Sequence, residues 1–252
     1  MGQGRPILLI HGNGFDGLVW KKVASLLSRD FTVYVIDRNG FGRSESKNSD
    51  TKLYAQSQAT DILEFIKAEI DEPTITVGWS SGTLFLLQAA LADEEKYIKQ
   101  IISFDAPFLV SSNADFNAVG QFIKIIFLQI FGRKLRAAEK FMKLVLKMSD
   151  DSNSFDNLDS VMKLNFENNV EATLNEIKTG TGEDLDKKKL RKLDMKIDFI
   201  AGRLSPNFIK KANNRLAELF PNGRWRQIDN GGHFSLYEQP ESFAEIVRQL
   251  AE

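Results

Sequence analysis

The chain has 252 residues, of which 42% are hydrophobic and 27% charged, a length and balance that fit one soluble globular domain with or without an insertion. Its formal net charge of -1 supplies no long-range field for nucleic acid or an anionic surface. With no cysteine, disulfides, thiolate metal sites and a cysteine nucleophile are excluded.

The first apolar run, PILLI, reads as a buried strand running into the glycine turn His11-Gly12-Asn13-Gly14. Its ILLI core is too short for a signal peptide or a membrane span, so no membrane span and a cytoplasmic location are expected. A helix follows, with Trp20, Val23, Leu26 and Leu27 on one face. FTVYVID (31–37) is a second strand that ends in the turn DRNGFGRS. Gln58 to Ile70 is an amphipathic helix, TITVGW a strand, and Thr83 to Leu91 an apolar helix. KQIISFDAPF is a strand ending at Asp105. From about Leu109 to Leu193 only helical patterns with charge appear, as in FNAVGQFIKIIFLQIF. Strand and helix then alternate again through MKIDFIAG, a helix around Asn213 to Leu219, RWRQIDNGGH and ESFAEIVRQL. This rhythm predicts an α/β fold with a mostly parallel sheet and helices on both faces. Residues 1–109 and 193–252 form its core and 110–192 a helical insertion; two domains in series is the alternative, but the last strand–helix units would make a poor sheet alone.

Two chemistries compete for the first glycine turn. GNGFDG, Gly12 to Gly17, is a G-x-G-x-x-G after a strand, and Asp37 lies twenty residues past Gly17, as a dinucleotide-binding oxidoreductase requires. The same turn can instead aim main-chain N–H groups at a developing oxyanion. That reading demands a serine on a strand-to-helix elbow, a late histidine and an acid to orient it. Gly78-Trp79-Ser80-Ser81-Gly82 supplies the serine, centred in G-x-S-x-G between a strand and a helix. Of two histidines, His11 lies in the glycine turn and His233 follows a Gly-Gly pair near the C-terminus, where the mechanism needs it.

With these residues in hand, the chain resembles the α/β-hydrolase-fold serine hydrolases. The matching motifs are His11-Gly12-Asn13-Gly14, Asp37-Arg38-Asn39-Gly40-Phe41-Gly42-Arg43-Ser44, Gly78 to Gly82, and Gly231-Gly232-His233-Phe234 followed by Glu238-Gln239-Pro240, in family order. The resemblance covers nearly the whole chain except the insertion, and it implies that the insertion is a helical cap placed after the family's sixth strand. It explains Asp37 as part of a structural turn. It implies Ser80 as nucleophile, His233 as base, and the backbone N–H groups of Asn13 and Ser81 as the oxyanion hole, with no cofactor. The acid departs from the usual pattern: G-x-x-D after the seventh strand is here Gly202-Arg203-Leu204-Ser205, and Ser205 offers no carboxylate. Some members place the acid at the end of the sixth strand, where this chain has Asp105. Asp198 falls inside a strand and Asp229 lies close to His233 along the chain, so Asp105 is the assigned acid. An Asx-turn before Pro107 is its structural alternative.

Because Ser80 stands where dehalogenase and epoxide-hydrolase members carry an aspartate nucleophile, the resemblance implies acyl rather than alkyl chemistry. Seven phenylalanines in the insertion (Phe116, Phe122, Phe127, Phe131, Phe141, Phe155, Phe166) are expected mostly to pack the core and partly to line a pocket for an apolar ester. FIKIIFLQIF is expected to be covered by protein or to face an apolar pocket. Two histidines cannot serve both triad and metal, so no metal is expected. KTGTGEDLDKKKLRK reads as a solvated connection with no nucleic-acid role. The function expected is a serine hydrolase that cleaves a small or medium apolar carboxylic ester through an acyl-enzyme. Lactonase, thioesterase, acyltransferase and carbon–carbon hydrolase activities use the same residues, and a ligand sensor on the same fold is the alternative from another class.

Overall fold

The computed structural model describes residues 1–46, 53–107, 116–179, 185–220 and 223–251. Six strands form one sheet: β1 (Arg5–Ile10), β2 (Phe31–Ile36), β3 (Thr74–Trp79), β4 (Ile98–Phe104), β5 (Lys196–Gly202) and β6 (Trp225–Ile228). Their order is β2-β1-β3-β4-β5-β6 and every pairing is parallel. The insertion leaves after β4, the fourth strand of this sheet, which the resemblance counts as the sixth.

Side-chain alternation divides the core into two layers. Ile7 and Leu9 of β1 point to the face covered by α1 (Lys21–Leu27) and α11 (Pro240–Ala251), where Val23, Leu27, Phe243, Val247 and Leu250 meet them. Leu8 and Ile10 point to the face covered by α2 (Tyr54–Phe65), α3 (Ser81–Ala92) and α9 (Asn207–Ala217). All six residues of β3 are buried, as expected of a central parallel strand covered on both faces. The edge strand β6 buries only Ile228. Each fully buried Leu, Ile, Val or Phe contributes about 1.5–3 kcal/mol of transfer free energy, so the two layers dominate the stability of the sheet.

Between β4 and β5 the described residues form α4 (Phe116–Ile130), α5 (Lys134–Val145), α6 (Ser160–Asn168), α7 (Val170–Thr179) and the short α8 (Lys187–Leu190). The boundary near residue 110 and most of the KTGTGED stretch lie outside the described residues. The end of the stretch read as a solvated connection is structured: Asp186 caps α8, and Leu185 and Leu190 are buried. The insertion packs on the turns that follow the carboxyl ends of the strands. The Asn165 side chain accepts from Asp16 N–H at 3.3 Å and that of Asn169 from Gly42 N–H at 2.8 Å. A Cβ on Gly14 would lie 2.4 Å from Met142 Sδ, and one on Gly232 2.9 Å from Met148 Cγ.

One expectation for the insertion holds only in part: Phe127, Leu128 and Phe131 line a cavity with Lys124, Arg133 and Lys140, but the run is not covered by protein all round. Ile125 is buried, but Ile123, Ile126, Phe127, Ile130 and Phe131 of the FIKIIFLQIF run are exposed. Their i, i+3, i+4 spacing gathers them along one face of α4 and the residue after it, so the run is covered on one side only.

Candidate active site

The chain turns away from β1 towards β2 on one side and from β3 towards β4 on the other, so the carboxyl ends of β1 and β3 flank the point where strand order reverses. His11 to Gly14 follow β1 there and Ser80 follows β3, with Ile10 in register with Gly78. Asp105 follows β4, Ser205 lies beyond β5 and His233 beyond β6. Five strand ends thus bring together residues spread over most of the chain.

Ser80 has φ 53° and ψ -127°, a strained combination for a non-glycine residue, and α3 begins immediately after it. The helix therefore starts two residues earlier than its apolar pattern predicts, because the elbow itself opens it. Ser80 N–H donates to Phe104 O at 2.8 Å, and Ser80 O accepts from Thr83 N–H at 3.0 Å. The glycines make the elbow possible by close approach. A Cβ on Gly82 would lie 2.6 Å from His11 O, and one on Gly78 2.7 Å from Thr83 N. Gly12 brings its turn against the serine, since a Cβ there would lie 2.9 Å from Ser80 Cβ.

His233 and Asp105 are both buried, and their Nδ1 and Oδ2 atoms lie 3.4 Å apart. The His233 ring packs on Trp79, the residue before the serine, with centroids 5.5 Å apart, and Trp79 Nε1 donates to His233 O at 2.8 Å. No hydrogen bond joins Ser80 Oγ to His233 among the described residues, a looseness common before substrate binds. Asp105 has φ 47°, a left-handed conformation, and donates its N–H to Ile200 O at 3.2 Å. The two other aspartates considered are engaged elsewhere. Asp198 is buried against Gln100 and accepts from Arg224 Nε at 2.9 Å, while Asp229 pairs with Arg203 at 2.8 Å on the surface.

Ser205, set aside in the sequence for lacking a carboxylate, is buried and donates its hydroxyl to the same Asp105 Oδ2 that faces His233. Asp105 Oδ1 is buried without a partner among the described residues. The oxyanion candidates also lie by the serine. Asn13 is nearly buried, its Oδ1 accepting from Gly14 N–H at 2.8 Å and its Nδ2 donating to Thr173 O of α7 at 3.3 Å. Ser81 N–H is at the first position of α3, where helical N–H groups have no intrahelical acceptor.

The dinucleotide alternative loses its acid. Asp37 Oδ1 accepts from Gly17 N–H at 2.9 Å and Oδ2 from Arg43 N–H at 3.1 Å, so the carboxylate closes its own turn and ties it to the start of the helical segment after β1. Phe15, Trp79, Phe166 and Phe234 form an aromatic cluster beside His233, with Phe15 centroids 6.1, 6.3 and 5.1 Å from those of Trp79, Phe166 and Phe234. Of the insertion's phenylalanines, Phe155 and Phe166 are buried, Phe127 and Phe131 are exposed, and the Phe116 side chain lies outside what is described.

A family model for the alpha/beta hydrolase fold matches residues 5–240. The chain belongs to that family. Among curated relatives, this hydrolase is 24% identical over 257 residues to the pimeloyl-[acyl-carrier protein] methyl ester esterase of Aliivibrio fischeri strain MJ11, covering 98% of this chain and 93% of the relative. A shorter match to the protein of the same name from Vibrio atlanticus reaches 33% identity over 102 residues, 40% of this chain and 36% of that one. Among solved structures, a bromoperoxidase from Bacillus anthracis superposes with a TM-score of 0.81 at 20% identity, covering 99% of the hydrolase and 92% of that chain. A putative aryl esterase from Burkholderia cenocepacia superposes at 0.78 with 19% identity, covering 99% and 93%. At these identities the solved structures speak to the fold. No helix among the described residues is long and apolar enough to cross a membrane.

Sequence reasoning missed three residues of this region. Arg38 sits in the DRNGFGRS turn but carries no catalytic signature; its guanidinium is buried and reaches back to His11 and Gly12. Glu176 pairs with it from 138 positions away, beyond any local pattern. Ser205 was visible as the place where the usual acid is missing, and that substitution was the available signal.

Proposed function

We propose that the hydrolase cleaves a carboxylic ester through an acyl-enzyme on Ser80. The observation that carries the reading is the strained elbow at Ser80, beside a buried His233 whose Nδ1 faces the Asp105 carboxylate. Non-glycine strain of this kind costs about 1–3 kcal/mol and persists where the surroundings impose it. Here the Phe104 carbonyl, Thr83 and three close-packed glycines impose it.

In this reading Ser80 Oγ attacks the acyl carbon as His233 Nε2 takes its proton. The carbonyl oxygen becomes an oxyanion in front of the N–H groups of Asn13 and Ser81. Collapse expels the alcohol, which leaves with the proton from His233. Water then repeats the sequence on the acyl-enzyme and releases the acid. Asp105 keeps the proton on His233 Nδ1 and stabilises the imidazolium. The aromatic cluster of Phe15, Trp79, Phe166 and Phe234, roofed by the insertion acting as a cap, supports an uncharged, largely apolar ester of small or medium size. The esterase names of the curated relatives support ester over lactone or thioester.

A fluorophosphonate probe should label the wild-type protein and fail to label Ser80→Ala. Undiminished labelling of Ser80→Ala would move the nucleophile elsewhere. A panel of aryl esters and methyl esters of mono-esterified diacids, with lactones and acyl thioesters beside them, identifies the substrate class. Multiple turnover above the Ser80→Ala background separates an enzyme from a sensor on the same fold.

A further inference from the structure

We infer that Arg38 and Glu176 are positioning residues that orient the Gly12–Asn13 peptide, and with it the oxyanion site of the reaction proposed above. The inference rests on that proposal for its chemistry and on a buried hydrogen-bond network for its geometry. A trans peptide is planar, so the carbonyl of Gly12 and the N–H of Asn13 point in opposite directions. Whatever holds the carbonyl aims the N–H. Two donors hold it: His11 Nδ1 at 2.8 Å and Arg38 Nη2 at 3.1 Å. Arg38 Nε also donates to His11 O at 2.9 Å, so one guanidinium clamps two successive carbonyls of the turn.

The network fixes every proton in it. Arg38 N–H donates to His11 Nε2 at 2.9 Å, which makes Nε2 an acceptor and leaves the single ring proton on Nδ1, facing the Gly12 carbonyl. Burial, followed by the nearby Arg38 charge, lowers the His11 pKa well below its ordinary value, consistent with a neutral ring. The guanidinium itself lies between the rings of Phe41 and Phe85, 4.6 and 4.8 Å from their centroids.

A buried cation in this place needs a counter-charge, and among the described residues outside the insertion no carboxylate pairs with it. Glu176 of α7, in the insertion, does: its Oε2 accepts from Arg38 Nη1 at 2.9 Å, with both side chains fully buried. Tyr54 OH donates to the same oxygen at 3.1 Å. Three residues earlier on the same helix, Thr173 O accepts from Asn13 Nδ2 at 3.3 Å. One face of α7 therefore grips both the oxyanion residue and the arginine behind it. A buried ion pair is weak evidence for stability, since apolar replacements of similar volume are often as stable. Positioning gives this one a purpose.

The decisive experiment compares Glu176→Gln with the double variant Arg38→Met/Glu176→Leu. The single change strands a buried charge and lowers Tm; the double change removes both charges and should recover much of that loss. Removing one oxyanion donor outright costs about a hundredfold to a thousandfold in kcat, so misaiming one should cost the folded double variant about tenfold to a hundredfold, with KM within about twofold. A merely structural pair predicts that kcat recovers along with Tm, and wild-type kcat in the double variant would overturn the inference. Failure of the serine mechanism shows separately, as wild-type ester turnover that survives Ser80→Ala. In that case solvent exchange of the His11 Nδ1 proton, followed by 15N NMR in a chain with two histidines, still decides. Exchange faster in the double variant supports the clamp, and unchanged exchange overturns it.

Discussion

Replacing Asp105 with asparagine is the sharpest perturbation of the proposed site, because it changes charge and donor pattern while leaving size almost unchanged. In the native arrangement Oδ2 faces His233 Nδ1 and also receives the Ser205 hydroxyl. If the amide nitrogen takes that place, it donates to Nδ1 and forces the ring proton onto Nε2, where it can no longer accept the proton of Ser80. If the amide oxygen takes it, the tautomer survives but the charge that stabilises the imidazolium is gone. The 3.4 Å contact is longer than the usual N–H···O range, and its Oδ2 is shared with the Ser205 hydroxyl. A comparable change in a serine protease costs about ten thousandfold; with a shared and longer contact, the expected loss here is about a hundredfold to a thousandfold in kcat. This corresponds to about 3–4 kcal/mol of transition-state stabilisation. Initial rates on a short-chain p-nitrophenyl ester measure it, with near-ultraviolet circular dichroism and Tm as controls for folding. A folded Asp105→Asn enzyme within about threefold of wild-type kcat would refute the assignment of the acid.

The neighbouring strand end offers a second address for a carboxylate, so Asp105→Asn/Ser205→Asp should regain at least about tenfold over Asp105→Asn alone; no gain would show that Ser205 does not reach the histidine. Ser205→Ala should cost several-fold in kcat, because it removes a donor that fixes the carboxylate. Asp198→Asn should lower stability by about 1–3 kcal/mol through its buried partners yet keep kcat near wild type, and a large kcat loss in denaturant-matched assays would point to the wrong aspartate. Because burial lowers the His11 pKa on folding from its ordinary value of 6.5, the unfolded chain binds the extra proton first, so stability should fall as pH drops below about 6.5. Urea titrations from pH 7 to pH 5 should show that slope, and His11→Gln should flatten it; an unchanged slope in His11→Gln would refute the assignment. Gly82→Ala places a Cβ 2.6 Å from His11 O and should cost about 1–3 kcal/mol by urea melts, with loss of turnover beyond the loss of fold.

The parts of the site that are legible in the sequence are those whose geometry is local. A serine elbow needs small residues two positions either side, and Gly78 and Gly82 stand there because main chain passes within 2.6–2.7 Å of where their side chains would be. The glycine turn after β1 and the late histidine are equally local signals, and strand–helix alternation sufficed for a parallel sheet. What the sequence does not reveal is pairing at a distance. Nothing near Glu176 marks it as the counter-charge of Arg38, and nothing in GRLS says that its serine donates to a carboxylate 100 residues earlier. The glycine motif from Gly12 to Gly17 was ambiguous for the opposite reason: its spacing suits two ligands, and only the engagement of both Asp37 oxygens separates them. The FIKIIFLQIF run misled in part because an apolar run implies burial on average, whereas Phe127 and Phe131 are exposed.

The grip of α7 on Asn13 and Arg38, together with the seating of Met142 on Gly14 and Met148 on Gly232, bears on how this protein can be re-engineered. A segment spliced between two strands invites exchange for a homologous one, as a way to graft new selectivity onto an unchanged machine. Here the spliced segment is also part of the scaffolding of that machine. A chimera that keeps every residue of the sheet but imports a foreign segment would lose the counter-charge of Arg38 and the support beneath Asn13. A transplant must therefore carry Thr173 and Glu176 across with it.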